Sequence, residues 1–499
     1  MAHMFRKAAI AAGILVVTLP LAGVGLYMAG LRVVVGGGGS PYLAFVESDA
    51  ARAEKIARHR QAQRASAEAP APAADPAPAG PGGAQPVASA AALPTTAAGP
   101  SPAARVAAAP YWTDFRGPRR DGHYAERPIQ TNWPSDGLTV LWKEPVGGGY
   151  ASFVIVHGRA FTIEQRGVEE VAAAYDIATG RELWTNRWIA AFRELRGGDG
   201  PRATPTWADG LVYVLGAAGE LRCLEDATGR VVWRTNILAD AGAANLPWGM
   251  AASPLIVDGT VVVLPGGSNG RSVVAYERRT GTPAWSALGD QQAYASPMLV
   301  TLAGVRQILV FTASRLLGLT SDSGEVLWEF PWTTQYGVNA GQPLVIGDSR
   351  VFISTGYGTG AAVVEVSAAD SRLVAREIWR NIRMKNQFTS SVLQDGFIYG
   401  LDESILACVD AATGELKWKG GRYGYGQVLL ASGHLIVLTE DGDLALVRAT
   451  PERHQEVVRF HVLEGKTWSH PAMADGYLLV RNINEMAAFD LRMPALERR

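Results

Sequence analysis

The chain has 499 residues, 48% of them hydrophobic, which is enough for one large domain with additional segments. Its 46 basic and 47 acidic side chains leave a formal net charge of −1. This balance excludes the strongly basic surface on which nucleic-acid-binding proteins depend.

The N-terminal segment is apolar. Residues 8–31 carry no charge and follow Arg6 and Lys7, and an apolar stretch of this length can span a bilayer. We therefore predict a transmembrane helix within residues 1–35, with a cleaved secretory signal as the alternative because small residues lie near Ala29. With no cysteine nearby, a lipoprotein anchor is excluded. The preceding basic residues favour a cytoplasmic N-terminus, and so a single-pass membrane protein with its body outside the cytoplasm.

Residues 36–110 are predicted to be a juxtamembrane segment followed by a linker. Residues 65–110 are rich in alanine and proline, so they cannot bury a core and are expected to stay extended and disordered. Residues 47–64 have the composition of a short polar helix beside the bilayer, which we interpret as a solvated segment. The whole region is expected to act as a spacer that holds the folded body away from the membrane.

Tryptophan recurs in the remaining chain at intervals of about 40 to 50 residues, a period typical of propeller blades or solenoid repeats. Residues 174–184 read AYDIATGRELW and residues 408–418 read CVDAATGELKW. Each is a strand end, a tight turn at Thr-Gly and a second strand that ends in Trp. Phe460 replaces the tryptophan in one repeat. The residues expected to wedge between blades are Trp142, Trp184, Trp233, Trp285, Trp328, Trp379 and Trp418.

A second periodic element gives the same number of repeats. The residues that open a short apolar strand in each unit are Phe153, Pro205, Pro254, Pro297, Pro343, Ser391, Val428 and Pro471. Each unit contains about four short strands, which predicts an all-β fold, an eight-bladed β-propeller of four-stranded antiparallel blades. The propeller is placed at residues 111–491, with a C-terminal tail at residues 492–499. We expect residues 140–142 and 486–491 to share one blade and so to close the ring.

The two cysteines, Cys223 and Cys408, occupy the same place in different units. Equivalent positions in different blades are held apart, so we expect both thiols to be buried in blade cores and unpaired. Their spacing also excludes a paired-cysteine zinc site and a Cys-x-x-Cys-His haem attachment site.

The Ala-x-Asp-x-x-Thr-Gly-x-x-x-Trp pattern at residues 174–184, with weaker copies in the other units, resembles the tryptophan-docking repeat of the PQQ-like (quinoprotein alcohol dehydrogenase-like) propeller superfamily. Residues 115–122, FRGPRRDG, also resemble the opening segment of bacterial PQQ-like propeller proteins. The superfamily includes pyrroloquinoline-quinone (PQQ) alcohol dehydrogenases and non-catalytic members such as the propeller lipoprotein of the outer-membrane assembly machine. The resemblance therefore implies an eight-bladed fold without assigning a function.

The dehydrogenase members imply a quinone in the central funnel, a disulfide of two adjacent cysteines, a calcium ion and an aspartate base. This chain lacks the adjacent cysteine pair. Glu164, Asn339 and Asn386 are candidate calcium ligands by residue type, but no carboxylate is singled out as a base. We therefore expect no cofactor and no metal site, with PQQ plus calcium as the alternative.

The mouth of the central funnel is the predicted binding site. In a propeller the first strand of each unit lies nearest the axis, so the residues just before it line one mouth. They are Tyr150, Arg202, Trp248, Tyr294, Asn339, Asn386, Tyr425 and Trp468, with Arg166 and His470 expected close by. Aromatic and arginine side chains are enriched in binding hot spots, and a concave mouth suits a ligand. The alternative is that these side chains fill a wide channel and bond strand ends; His470 is expected to be structural, and no residue is assigned as catalytic.

Three functional classes remain open. The first is a non-catalytic, membrane-tethered scaffold that binds a protein or peptide, in envelope or outer-membrane protein assembly. The second is a PQQ-dependent alcohol dehydrogenase-like oxidoreductase. The third is a sensor or carbohydrate-binding module that uses the aromatic ring of the mouth. The missing cysteine pair and haem motif favour the first class over the second.

Overall fold

The computed structural model describes residues 30–37, 39, 41–68, 111–370 and 372–493, together with residue 26. A β-hairpin of Leu31–Val35 and Pro41–Phe45 and a helix, Asp49–Glu68, precede the propeller. The predicted membrane anchor lies outside the described residues except near its end, where Leu31 begins a strand instead of ending a helix. In the part of the chain that the structure describes, the helices are too short or too polar to span a membrane.

Eight four-stranded antiparallel sheets follow one another within the described residues, which confirms the predicted fold. In each sheet the first strand contacts the first strands of neighbouring sheets and is therefore the innermost. The strands of blades 1 to 4 are Val154–Val156, Arg159–Arg166, Glu169–Asp176 and Glu182–Ile189; Thr206–Ala208, Leu211–Leu215, Glu220–Glu225 and Val231–Asn236; Leu255–Val257, Thr260–Val263, Val273–Glu277 and Pro283–Ala287; Met298–Leu302, Val305–Phe311, Arg315–Leu319 and Val326–Pro331.

Blades 5 to 8 complete the ring. Their strands are Leu344–Ile346, Arg350–Thr355, Gly360–Ala369 and Arg372–Asn381; Val392–Gln394, Phe397–Asp402, Ile405–Asp410 and Leu416–Arg422; Gln427–Ala431, His434–Leu438, Asp443–Arg448 and Glu456–His461; Ala472–Ala474, Tyr477–Arg481, Glu485–Asp490 and Val140–Pro145. A short strand, His123–Tyr124, pairs in parallel with the innermost strand of blade 7, and a short helix, Ile237–Ala241, follows blade 2.

Blade 8 joins the two ends of the propeller. Its third strand, Glu485–Asp490, pairs with Val140–Pro145, and Ala488 lies opposite Trp142. The expected closure is therefore present. Arg492 adds an isolated bridge to Ile129, and the rest of the predicted C-terminal tail beyond residue 493 lies outside the described residues.

The repeated tryptophans pack against the repeated glycine turns of the next blade. The Trp233 Nε1–H donates to the Arg278 carbonyl oxygen at 2.9 Å. A Cβ atom added to Gly281 would lie only 2.7 Å from the Trp233 ring, so only glycine fits there. The same packing joins Trp142 to Gly180, Trp184 to Gly229, Trp285 to Gly324 and Trp379 to Gly414. Gly281 has a φ of +74°, which favours glycine independently of the ring. One contact thus explains why tryptophan and glycine recur with the same period.

Blade 5 departs from this pattern. Its outer strands, Gly360–Ala369 and Arg372–Asn381, are ten residues long and are not joined by a Thr-Gly turn. Trp328 of blade 4 is 3% exposed, and its Nε1–H donates to Gln307 Oε1 in its own blade at 2.5 Å. The indole is buried as expected, but its hydrogen bond stays within blade 4.

Both cysteines are free and fully buried in different blade cores, as expected. Each lies opposite a tyrosine on the neighbouring strand, Cys223 opposite Tyr213 and Cys408 opposite Tyr399. Burial raises the pKa of both thiols to about 12, so they pack as neutral, apolar groups.

Residues 111–122 enter the central channel and link several blades. The Arg116 guanidinium donates to the Ser391 carbonyl oxygen at 2.7 Å, and the Arg120 guanidinium donates to the Pro297 carbonyl oxygen at 2.8 Å. Both arginines are 2% exposed. This segment therefore lies near the axis of the ring, and its Phe115 lines the cavity at the mouth.

The polar helix Asp49–Glu68 is not solvated on all sides, and that interpretation was wrong. Arg52, Ile56 and Arg60 form one buried stripe, with exposed fractions of 6%, 1% and 3%. Their spacing of four residues places them on one helical face, and arginine can bury its stem while its head group stays paired. The first residues of the predicted linker, 65–68, also belong to this helix.

Candidate functional site

One cavity of about 710 Å³ lies at the mouth where the innermost strands begin. The structure brings together around it seven of the ten residues predicted for this mouth. They are Tyr150, Arg202, Trp248, Tyr294, Tyr425, Trp468 and His470. Each precedes or opens an innermost strand, so the closing of the ring directs all seven towards the axis.

The floor of the cavity is formed by the channel segment. The Phe115 ring lies 4.9 Å from the His470 ring, in an edge-to-face arrangement. Burial, with a further contribution from the nearby Arg116 charge, lowers the pKa of His470 well below its ordinary value. The imidazole is therefore neutral at physiological pH, which agrees with a structural role.

Aromatic rings form a continuous wall on one side of the cavity. Phe388 lies 4.6 Å from Trp468 and stacks on Tyr425 at 5.7 Å, measured between ring centroids. Tyr150 extends the wall, with its ring centroid 5.2 Å from that of Trp468. Two further pairs of aromatic rings that line the cavity also lie in contact, Trp248 with Tyr294 and Tyr336 with Tyr357. Such surfaces bury large apolar area at a low cost in side-chain entropy.

Two cations lie over aromatic faces at the edge of the cavity. The Arg202 guanidinium is 4.7 Å from the Phe192 ring centroid and donates to the Gly198 carbonyl oxygen at 2.5 Å. The Lys466 ammonium is 3.9 Å from the Trp468 ring centroid, and burial lowers the pKa of this lysine to about 8. Both side chains are oriented by cation–π contact before any ligand arrives.

Glu440 organises the wall and was missed by the sequence analysis. Its carboxylate accepts from the Trp468 Nε1–H at 3.0 Å and from the Tyr425 backbone N–H at 3.1 Å. It also accepts from the backbone N–H of Gly37 at 2.7 Å. In sequence Glu440 precedes Asp441-Gly442 and resembles the acidic residues of many surface turns, so composition alone does not distinguish it.

Other cavity residues were also missed, some on loops away from the start of a strand and others beside a predicted position. Additional side chains that line the cavity include Phe115, Arg196, Tyr336, Tyr357, Gln387, Phe388 and Glu403. Tyr336 and Tyr357 are in edge-to-face contact at 5.5 Å. The clearest signal in the sequence for these missed residues was Phe388, an aromatic residue two positions after the predicted Asn386.

Asn339 and Asn386 do not line the mouth as predicted. Both are buried, and their amides donate to carbonyl oxygens, Asn339 to Thr312 at 2.7 Å and Asn386 to Leu401 at 3.0 Å. A short amide at this position reaches the backbone of an adjoining loop or strand instead of the cavity. These two residues follow the alternative interpretation, in which polar side chains bond strand ends.

Arg166 also lies outside the cavity, in a buried ion cluster. Its guanidinium contacts Glu182 Oε2 at 2.6 Å and donates from Nε to Glu164 Oε1 at 2.5 Å. Burial raises the pKa of Glu164, but the charge of Arg166 and neighbouring arginines outweighs it, and the pKa is lowered overall. The cluster also receives Arg60 of the N-terminal helix, whose Nη1 lies 3.0 Å from Glu144 Oε2.

The candidate calcium ligands do not fit a calcium site. Glu164, Asn339 and Asn386 belong to different blades, and each is committed to hydrogen bonds within the protein. Glu164 Oε2 accepts from the Gly147 N–H at 2.9 Å, and its other oxygen pairs with Arg166. Among the described residues, no three His, Cys, Asp or Glu side chains converge as a metal site. These residues therefore do not assemble the calcium set that PQQ chemistry requires.

The cavity is thus an aromatic-walled funnel whose polar side chains are held by cation–π and hydrogen-bond contacts. These properties are those of a binding site with a few oriented polar groups. Among its lining residues, His470 and Glu403 are the ordinary candidates for a base, and the neutral His470 packs on Phe115.

Comparisons with known proteins agree with this architecture. A family model described as "Outer membrane protein assembly factor BamB" matches residues 168–420, just over half of the chain. The outer membrane protein assembly factor BamB of Bordetella pertussis (strain Tohama I) is 24% identical over 320 residues, which cover 60% of this chain and 72% of that protein.

Similar solved structures include a BamB protein and two dehydrogenases. The crystal structure of BamB from Moraxella catarrhalis has a TM-score of 0.52 at 13% identity and covers 71% of this chain and 99% of its own. A europium-containing methanol dehydrogenase has a TM-score of 0.57 at 12% identity and covers 75% of this chain and 90% of its own. A quinohemoprotein alcohol dehydrogenase from Pseudomonas putida HK5 has a TM-score of 0.55 at 13% identity and covers 76% of this chain and 80% of its own. At these identities the likeness shows the propeller fold alone.

Proposed function

The chain belongs to the family of the outer membrane protein assembly factor BamB, and on that premise we propose that it is a non-catalytic scaffold for the assembly of outer-membrane proteins. In this proposal the propeller lies in the periplasm, is tethered to the inner membrane by the apolar N-terminal segment, and binds a protein partner through its funnel mouth.

The observation that supports this proposal most strongly is the composition of the funnel. Its walls combine stacked aromatic rings with arginine and lysine side chains already held in place. Aromatic and arginine side chains dominate the energetics of protein interfaces. The three side chains considered as calcium ligands by residue type are instead bonded to the protein itself.

The test is capture of partner proteins from solubilised membranes by the full-length chain. Tyr294→Ala removes a cavity-lining ring, whereas Val374→Ala removes an exposed side chain from the outermost strand of blade 5. Truncation of an interface hot spot costs at least about 2 kcal/mol, which is more than tenfold in affinity. We expect Tyr294→Ala to lose proteins of the outer-membrane assembly apparatus and Val374→Ala to retain them.

Equal recovery by the two variants would contradict a role for the mouth. The oxidoreductase alternative has its own direct assay. Saturable binding of PQQ in the presence of calcium, together with reduction of a dye by alcohols, would overturn the scaffold proposal.

A further inference from the structure

The N-terminal hairpin is seated in the funnel mouth. Its strands, Leu31–Val35 and Pro41–Phe45, pair antiparallel from Leu31 opposite Phe45 to Val35 opposite Pro41. The described residues of the connecting turn, Gly36, Gly37 and Gly39, line the same cavity as the aromatic wall. A segment that reads in sequence as a flexible glycine tract is therefore an occupant of the proposed binding site.

The mouth recognises the backbone of Gly37. The Gly37 N–H donates to Glu440 Oε1 at 2.7 Å, and the Gly37 carbonyl oxygen accepts from Gln387 Nε2 at 3.1 Å. Both of its polar backbone groups are thus satisfied by side chains of the propeller. A Cβ on Gly37 would overlap the ring of Tyr425, so the site accepts glycine and excludes a side chain. Gly37 is buried, whereas Gly39 at the far side of the turn is exposed and has open space around it.

Glu440 couples this occupant to the wall of the funnel. The same carboxylate that binds the Gly37 N–H also accepts from Trp468 Nε1 and from the Tyr425 N–H. Charge-assisted hydrogen bonds of this kind are stronger than neutral ones. The aromatic wall and the glycine turn therefore share one acceptor, and a ligand that replaced the turn would meet a preformed donor–acceptor pair.

The hairpin is attached to the propeller at its tip, through Gly37, and through the helix that follows it. At its base the Val46 N–H donates to the Gly30 carbonyl oxygen at 2.8 Å, and the buried Arg60 of the following helix fixes the chain to the rim. An isolated two-stranded hairpin is marginally stable in water. Val33 and Phe45 remain 51% and 68% exposed, so we expect the contacts of Gly37 at the tip to contribute strongly to keeping the hairpin in place.

Space remains beside and beneath the hairpin. The main cavity of about 710 Å³ extends below the glycine turn, and a second cavity of about 350 Å³ lies between Tyr42, Glu440 and Lys466. Both volumes are lined by propeller residues that the hairpin does not cover completely. The occupant thus fits the polar site at Glu440 without filling the funnel.

We propose that the mouth is a receptor for the glycine turn of a β-hairpin. The hairpin of residues 31–45 occupies it in the resting protein, and a partner protein displaces this hairpin by presenting one of the same chemistry. This inference rests on the proposal that the mouth binds protein. It specifies the recognised element: a two-stranded turn with a glycine whose N–H and C=O are both free, flanked by apolar strand residues.

Tethering sets the strength of the competition. A segment joined by a short linker has an effective concentration on the order of 1 mM at its site. A free hairpin with an intrinsic Kd of about 100 μM would therefore bind the resting chain about tenfold more weakly than a chain whose own hairpin is released.

The experiment compares three full-length chains in lipid nanodiscs: the unchanged chain, Gly37→Val and Gly39→Asn. The probe is a cyclised peptide of residues 31–45, joined between Leu31 and Phe45, which face each other in the hairpin. Valine at position 37 collides with Tyr425, whereas asparagine at position 39 has space and tolerates the left-handed backbone there, at a φ of +79°. Hydrogen exchange of residues 31–45 reports directly whether the hairpin has left the mouth.

We expect Gly37→Val to raise exchange in residues 31–45 and to bind the peptide about tenfold more tightly than the unchanged chain. Gly39→Asn should match the unchanged chain in both measurements, and a peptide that itself carries valine at position 37 should not bind. Equal peptide binding by all three chains, or release of the hairpin without any gain in peptide binding, would overturn the inference. In that case Tyr294→Ala would still lose its partner proteins if the scaffold proposal holds. Failure of the hairpin inference can therefore be distinguished from failure of the proposed function.

Discussion

Truncation of one docking indole tests how the blades are held together. Trp233 is 8% exposed, lies against Tyr213 and Tyr276, and donates to the Arg278 carbonyl oxygen of the next blade. Trp233→Ala leaves a cavity between two blades, and large-to-small changes of this kind cost about 3–5 kcal/mol. The lost hydrogen bond is part of that cost, at about 1 kcal/mol. Trp233→Phe keeps most of the ring and should cost about 1–2 kcal/mol.

The control is the preceding residue of the same strand. Val232 lies in a β-bulge beside Trp233 and is 39% exposed, so Val232→Ala should cost less than about 1 kcal/mol. Urea unfolding followed by far-UV circular dichroism gives the midpoints of all the variants. Equal midpoints for Trp233→Ala and Val232→Ala would refute the role of the indole in blade docking.

Two further predictions concern buried charge. Glu170 accepts from the Ala217 N–H and Trp188 Nε1–H, and burial raises its pKa from 4.5 to about 7. The native state then holds a proton that the unfolded state has lost, so stability should fall as pH rises from about 4.5 to 7, by up to about 3 kcal/mol. Glu170→Gln should flatten this part of the profile of urea midpoint against pH, and an unchanged slope would assign it to other groups. Arg60→Met should release the N-terminal helix and raise hydrogen exchange in residues 49–68 at least tenfold, because the 3%-exposed guanidinium pairs with Glu144 and Glu182. Arg58→Met, at a position 72% exposed, should leave exchange unchanged; similar exchange in the two variants would mean that other contacts hold the helix.

The propeller fold could be predicted from the sequence because it depends on a short pattern of tryptophan and glycine that is repeated many times. Trp233 must meet a glycine turn in the next blade, and each such pair leaves the same spacing in the chain. The closing of the ring was readable for a related reason, since residues 140–145 and 485–490 each lack a partner in their own unit. The junction between blades 4 and 5 was less predictable, because blade 5 lacks the Thr-Gly turn and Trp328 of blade 4 donates instead to Gln307 of its own blade, which the repeat does not specify.

The funnel was only partly predictable. Tyr294 and Trp468 could be placed because they precede innermost strands, but Asn386 at the corresponding position turns to the backbone of Leu401. Whether a side chain enters the cavity depends on its length and on the acceptor beside it, which the repeat pattern does not encode. The same limit applies to Glu440, whose three donors come from distant parts of the chain.

The N-terminal region was the least predictable part. Its glycines and charged residues have the composition of a spacer, and nothing local in residues 30–68 specifies docking. The burial of Arg60 arises from Glu144 and Glu182, which the folded propeller brings to the rim. Tertiary complementarity of this kind leaves little trace in local composition.

Site-specific photocrosslinking tests most directly whether the funnel mouth is the protein-binding surface. A benzophenone amino acid would replace Trp248 on the cavity wall or, as the control, Val374 on the outermost strand of blade 5. Crosslinking in intact cells followed by mass spectrometry identifies the neighbours of each position. We expect crosslinks to proteins of the outer-membrane assembly apparatus from position 248 and not from position 374. The reverse pattern, with partners captured from the blade edge and none from the mouth, would contradict the account.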